Sequence, residues 1–161
     1  MNSTRVDLVE LRAEIGEIPD PEVPVLTIAD LGILRSVEES PEGIVVTITP
    51  TYSGCPAMHH IEQEVLGVLA AHHVEGVVAM AFSPAWSTDW MTDVGREKLG
   101  AYGIAPPRPL ETSISIRQVK ISCPQCSSTD TELINRFGST ACKSLRRCLD
   151  CLEPFDHFKE F

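Results

Sequence analysis

Six cysteines are the residues with the most chemistry to offer, and five of them lie between positions 123 and 151. Cys123-Pro124-Gln125-Cys126 and Cys148-Leu149-Asp150-Cys151 are two Cys-x2-Cys knuckles with 21 residues between them. Such knuckles bring four thiolates to one tetrahedral centre, about 2.3 Å from a zinc ion. The separation slightly exceeds the usual window of roughly 15–20 residues. Two disulfides, a redox centre or an iron–sulfur centre would use the same thiolates. A module of some 40 residues cannot bury enough apolar surface to fold alone. Metal binding on the order of 10 kcal/mol would supply that energy. Structural Zn2+ held by Cys123, Cys126, Cys148 and Cys151 is therefore the expectation. Cys142 is left over beside Lys143, a cation that favours thiolate. It suits a fifth ligand, a transfer thiol bound to a cofactor, or a packed residue.

The sixth cysteine, Cys55, stands where a strand pattern gives way to a helix pattern. Ile44 to Thr49 ends at Pro50, and a helical run starts at Pro56 and continues to about His72. Proline favours the first helical position, because its missing N–H would be unpaired there. Cys55 is then the expected N-cap. Free N–H groups and the positive end of the dipole would lower its pKa and favour the nucleophilic thiolate. The same position also suits a small buried residue in a tight turn. His59 lies one turn beyond Cys55, and a Cys-x3-His pair is a partial metal site at best. Asp20 and Glu22 sit in a loop stiffened by Pro19, Pro21 and Pro24, and Asp30 precedes the turn residue Gly32. Carboxylates in such loops commonly cap turns.

The elements that must carry these residues can be read from periodicity. Val6–Gly16 has Leu8, Leu11 and Ile15 at helical spacing, with Gly16 as an expected C-cap. Ile33–Glu38 and Ile44–Thr49 read as strands joined at Ser40-Pro41-Glu42-Gly43. The helix after Cys55 places Ala57, Ile61, Val65 and Leu69 on one core-facing stripe. Val74–Phe82 is a third strand, and Asp89 or Thr92 is the expected cap of a last helix, about Thr92–Ala101, ended by Gly103. The order helix-strand-strand-helix-strand-helix predicts a small two-layer α+β sandwich. The expected organisation is a body at 1–106, a stiff proline-containing linker at 107–119, and a ribbon at 120–161. In the ribbon, Thr131–Phe137 and Glu153–Lys159 look like strands.

Charge narrows the partners. Residues 1–107 hold 5 Lys+Arg and 16 Asp+Glu, while residues 108–161 hold 8 and 7. An acidic body repels nucleic acid. No stretch approaches a membrane span, and residues 1–6 lack an export pattern, so a reduced cytoplasmic protein is expected.

Two matches are more specific. Asp20-Pro21-Glu22-Val23-Pro24, Asp30-Leu31-Gly32 and Ser53-Gly54-Cys55-Pro56 resemble the signature of the small iron–sulfur cluster assembly domain family, which includes SufT-type proteins. Ser83-Pro84-Ala85-Trp86 resembles that family's Pro-Pro-Trp stretch, with alanine replacing one proline. With the ribbon, including Phe137-Gly138-Ser139-Thr140-Ala141-Cys142-Lys143 and Phe155-Asp156-His157-Phe158-Lys159, nearly the whole chain resembles the PaaD family of bacterial phenylacetate degradation. The resemblance implies an accessory role beside the multicomponent oxygenase that epoxidises phenylacetyl-CoA, rather than a reaction of the chain's own. It implies Cys55 as the cluster-handling thiol, with Asp20, Glu22 and Asp30 supporting it. It further implies a transient iron–sulfur cluster, the flavin and iron–sulfur reductase subunit as partner, and a homodimer or tight complex. A non-catalytic structural subunit is the alternative.

Overall fold

A computed structural model describes residues 6–109 and 120–161. Most of the expected linker, 110–119, lies outside the described residues. The chain divides into two compact units, Met1–Trp86 and Ser87–Phe161. The expected boundary near 106 therefore falls inside the second unit.

The first unit holds α1 (Leu8–Gly16), β1 (Leu34–Ser40), β2 (Gly43–Ile48), α2 (Ala57–Ala71) and β3 (Gly76–Met80). Asp7 starts α1 by accepting hydrogen bonds from the N–H groups of Val9 and Glu10. Such a cap satisfies donors that the first helical turn leaves unpaired. Gly16 is not the C-cap of this helix. It is its last residue, followed by a right-handed Glu17, and its bare Cα lets Ala29 approach; an added Cβ would sit 3.2 Å from the Ala29 Cβ.

The sheet order is β1-β2-β3. β1 and β2 form an antiparallel hairpin, and α2 carries the chain across to β3, parallel to β2. Alternation does the sorting. Ile44, Val46 and Ile48 are buried on one face of the sheet, and Ala57, Ile61, Val65 and Leu69 are buried along one stripe of α2.

The second unit begins with a 3-10 turn, Thr88–Trp90, followed by α3 (Asp93–Tyr102). Thr92 caps α3 through its hydroxyl, and Gly103, at φ 91°, closes it in the left-handed region as expected. Then come β4 (Thr131–Asn135), β5 (Lys143–Cys148) and β6 (Pro154–Phe158), an antiparallel sheet ordered β4-β5-β6. β5 had no expected counterpart. Ala105 extends this sheet by bridging His157 of β6, so α3 clusters with the ribbon. No helix among the described residues is long and apolar enough to cross a membrane.

Candidate metal centre and thiol site

The ribbon brings its four knuckle cysteines together. The sulfurs of Cys123, Cys126, Cys148 and Cys151 lie within 4.8 Å of one another, with Cys123–Cys151 at 3.7 Å and Cys126–Cys148 at 3.5 Å. Four sulfurs at zinc-bond distance from one tetrahedral centre stand about 3.8 Å apart. A disulfide requires about 2.05 Å, and all six cysteines are free thiols. The spacings fit a bound zinc ion and exclude the two-disulfide alternative.

In each knuckle a backbone N–H faces the sulfur of the first cysteine, from two residues on in the first knuckle and three residues on in the second. The Gln125 N–H points at the Cys123 sulfur and the Cys151 N–H at the Cys148 sulfur, at 3.4 and 3.5 Å. Ser127 and Leu152, each following the second cysteine of its knuckle, adopt φ of 63° and 64°. These left-handed residues turn the chain so that amides face sulfur. The Cys151 N–H, with other donors, draws the Cys148 thiol down to about 7. The Glu153 N–H lowers Cys151, but loss of water and three neighbouring sulfurs push it up to about 12. Four such thiols ionise together only around a cation.

Cys142 stands apart from this group. It is buried, with its sulfur 3.0 Å from the Thr140 hydroxyl, and its carbonyl accepts the Lys159 N–H.

In the first unit, Cys55 sits at the C-terminal end of the parallel β2–β3 pair. Gly54, at φ 84° with open space where a Cβ would project, makes the turn. The Cys55 N–H bonds the Tyr52 carbonyl at 3.3 Å. Pro56, not Cys55, occupies the N-cap of α2, and it offers no side-chain cap. The thiol nevertheless keeps a helix donor, because the Ala57 N–H reaches its sulfur. Its electrostatics run against the expected thiolate. Burial pushes the Cys55 thiol up, the carboxylates of Glu22 and Asp20 push it further, and the Ala57 N–H and Tyr52 hydroxyl oppose them. Half-burial beside two acids outweighs both donors, so the Cys55 thiol lies above its ordinary range.

The acids have structural work as well. Asp20 is buried, and its Oδ1 accepts the Glu22 and Val23 N–H groups at 2.9 and 2.8 Å. Asp30 and Thr27 cap each other: Asp30 Oδ2 accepts the Thr27 N–H, and the Thr27 hydroxyl accepts the Asp30 N–H, both at 3.1 Å. The indole of buried Trp86 donates to the Leu31 carbonyl at 2.8 Å, tying two of the family-like stretches together. His59 is exposed and faces Glu62 at 3.8 Å. Among the described residues, the four-cysteine cluster is the one grouping of three or more His, Cys, Asp or Glu fit to hold a metal. Sequence reasoning missed Tyr52 as a partner of Cys55; its place three residues upstream, across a glycine turn, is the signal that could have found it.

A family model described as an iron–sulfur cluster assembly protein matches residues 8–80, which include Asp20, Glu22, Asp30 and Cys55. A second, described as the PaaD zinc beta ribbon domain, matches residues 108–159. Over 151 residues the chain is 48% identical to an Escherichia coli (strain K12) protein named as one subunit of a "Putative 1,2-phenylacetyl-CoA epoxidase", covering 93% of this chain and 91% of that one. The chain belongs to the PaaD family. Among solved structures, this PaaD-family chain is similar to a domain of unknown function, DUF59, from Bacillus anthracis. That match has 29% identity and a TM-score of 0.53, over 58% of this chain and 91% of that one. A conserved hypothetical protein from Thermotoga maritima, at 22% identity and a TM-score of 0.51, covers 62% of this chain and 99% of its own and shares the fold.

Proposed function

We propose that this protein is an accessory factor of a phenylacetyl-CoA epoxidase system, helping to assemble or deliver an iron–sulfur cluster to the oxygenase's reductase component. The observation that carries this reading is the pairing of an iron–sulfur assembly domain with a PaaD ribbon in one chain, 48% identical to a protein named as an epoxidase subunit. The cluster is cargo, and Cys55 is the thiol that handles it. At rest the thiol is protonated; binding iron releases that proton. Glu22 and Asp20 raise the thiol pKa, and the same negative field favours an arriving cation. One thiolate falls short of the four ligands a cluster usually takes. Handling therefore draws on a second copy of the chain or on the reductase's own thiols. The ribbon, folded around zinc, is structural, and the setting is cytoplasmic.

The test is a Cys55→Ser chain as the sole copy in cells. The reductase component should then purify poor in iron and acid-labile sulfide, with its polypeptide level unchanged. Normal loading would reject the reading. A second reading, a structural subunit of the oxygenase, is favoured by the raised Cys55 pKa. It predicts fixed-stoichiometry co-purification and activity indifferent to Cys55.

A further inference from the structure

A β-sheet edge offers unpaired backbone groups to any passing strand, and proteins blunt such edges with charge, proline, bulges or a covering segment. The described residues have four, and three are blunted. β1 carries a bulge between Leu34 and Ser36 and exposes Glu38 and Glu39; the Arg12 guanidinium also donates to its Arg35 carbonyl. β4 carries a bulge between Leu133 and Asn135 and the Glu132–Arg147 ion pair. β6 is covered by the bridge from Ala105.

β3 has none of these devices. It pairs with β2 in unbroken register from Gly76 to Met80, and among the described residues no strand pairs with its outer edge. Gly76-Val77-Val78-Ala79-Met80-Ala81-Phe82 contains no charge and no proline. Val77 is 60% exposed, Met80 39% and Phe82 66%. We propose that two copies of the chain pair along β3, antiparallel about a two-fold axis, making one continuous six-stranded sheet.

Charge selects the occupant. Residues 1–86 hold 3 Lys+Arg and 13 Asp+Glu. A basic partner would be drawn to the acidic faces rather than to a neutral strip. A two-fold contact needs a patch that complements itself, and a strand of small and apolar residues does so without apposing like charges. Two acidic units repel elsewhere, so salt should tighten this contact by screening, whereas it would loosen an acidic–basic one. A single strand pair is a small interface, so the dimer should dissociate on dilution. The contact would supply the second chain that the proposed cluster handling calls for, and it rests on that reading only for its purpose.

The experiment is sedimentation analysis of the full chain across a concentration and salt series. The expected wild-type result is a species of twice the 17.6 kDa monomer, favoured by concentration and by salt. Val77→Lys and Phe82→Glu, both at exposed positions and checked for folding by circular dichroism, should each give monomer. Ile134→Lys on β4, at a position 51% exposed, should leave the dimer intact. A wild-type monomer at all concentrations, or a Val77→Lys dimer, overturns the proposal. A monomer that retains an oxygenase component only when Val77 is intact also overturns it and assigns the strand to that partner. Reductase loading in Cys55→Ser cells is a separate readout, so either idea can fail alone.

Discussion

Replacing Asp20 separates a turn-holding carboxylate from a chemical one. Asp20→Ala removes the acceptor of two short hydrogen bonds, from the N–H groups of Glu22 at 2.9 Å and of Val23 at 2.8 Å. Hydrogen bonds to a charged group are each worth about 1.5–3 kcal/mol. The Val23 bond is buried, whereas the Glu22 amide is partly exposed and regains water. The expected cost is therefore about 2–4 kcal/mol, below the sum of two full bonds. In a domain of this size, about 1 kcal/mol moves Tm by roughly 4–8 °C, so a drop of about 8–32 °C is expected for the first unit's transition. Asp20→Asn keeps an oxygen in place and loses only the charge, so its cost should be roughly half. Thermal melts of both variants, with hydrogen exchange at the Val23 amide, make the comparison. The exchange should accelerate in Asp20→Ala and change little in Asp20→Asn. If Asp20→Ala melts like wild type, or if Val23 exchange is unaffected, the turn argument is refuted. Should Asp20→Asn stay stable while the reductase loses its cluster, the charge itself acts at Cys55.

Three further outcomes follow from the same geometry. Alkylation of Cys55 should be slow at pH 7 and climb above the ordinary thiol range; Glu22→Gln removes a carboxylate that raises the pKa and should speed it a few-fold at neutral pH, up to about tenfold for a full pKa unit. The protein should bind about one equivalent of zinc, held by four sulfurs, and Cys123→Ser or a strong chelator should remove it and unfold the ribbon, read by metal analysis and circular dichroism. Glu160 is raised by burial, but the His157 imidazole and the Arg108 N–H outweigh this and hold its carboxyl below the usual range. A depressed folded pKa stabilises above the unfolded value and loses that contribution as pH falls through the folded one. Glu160→Gln should therefore be less stable than wild type at pH 7, with the gap closing below about pH 4 in pH-dependent urea melts.

Residues whose partners lie within one element, or across a short turn, were legible from the sequence. The α2 stripe, the Thr92 and Gly103 caps and the Ile44/Val46/Ile48 face appear where periodicity put them. The knuckles announced their shared centre because four sulfurs at fixed spacing have few other uses. β5 stayed hidden because Lys143-Ser144-Leu145-Arg146-Arg147-Cys148 is too polar to show alternation; what makes it a strand is its position between β4 and β6. The Cys55 pKa was misjudged because its sign depends on Asp20 and Glu22, brought near from a loop 33 to 35 residues upstream. Local spacing reports the helix donor and is silent on the acids. Gly16 was misread for a similar reason, since its use is close contact with Ala29 rather than a terminating conformation.

The bridge from Ala105 to β6 widens what a metal ion held by the four cysteines would govern. The Ala105 N–H bonds Asp156 and its carbonyl accepts from Phe158, at 2.8 and 2.9 Å, so the segment leaving α3 is zipped onto a strand that exists only while the ribbon is folded. Stripping the ion should thus set off a relay: β6 lets go, the Ala105 rung falls away, and α3 loses its mooring. Metal occupancy would then act on a helix that contributes no ligand to it.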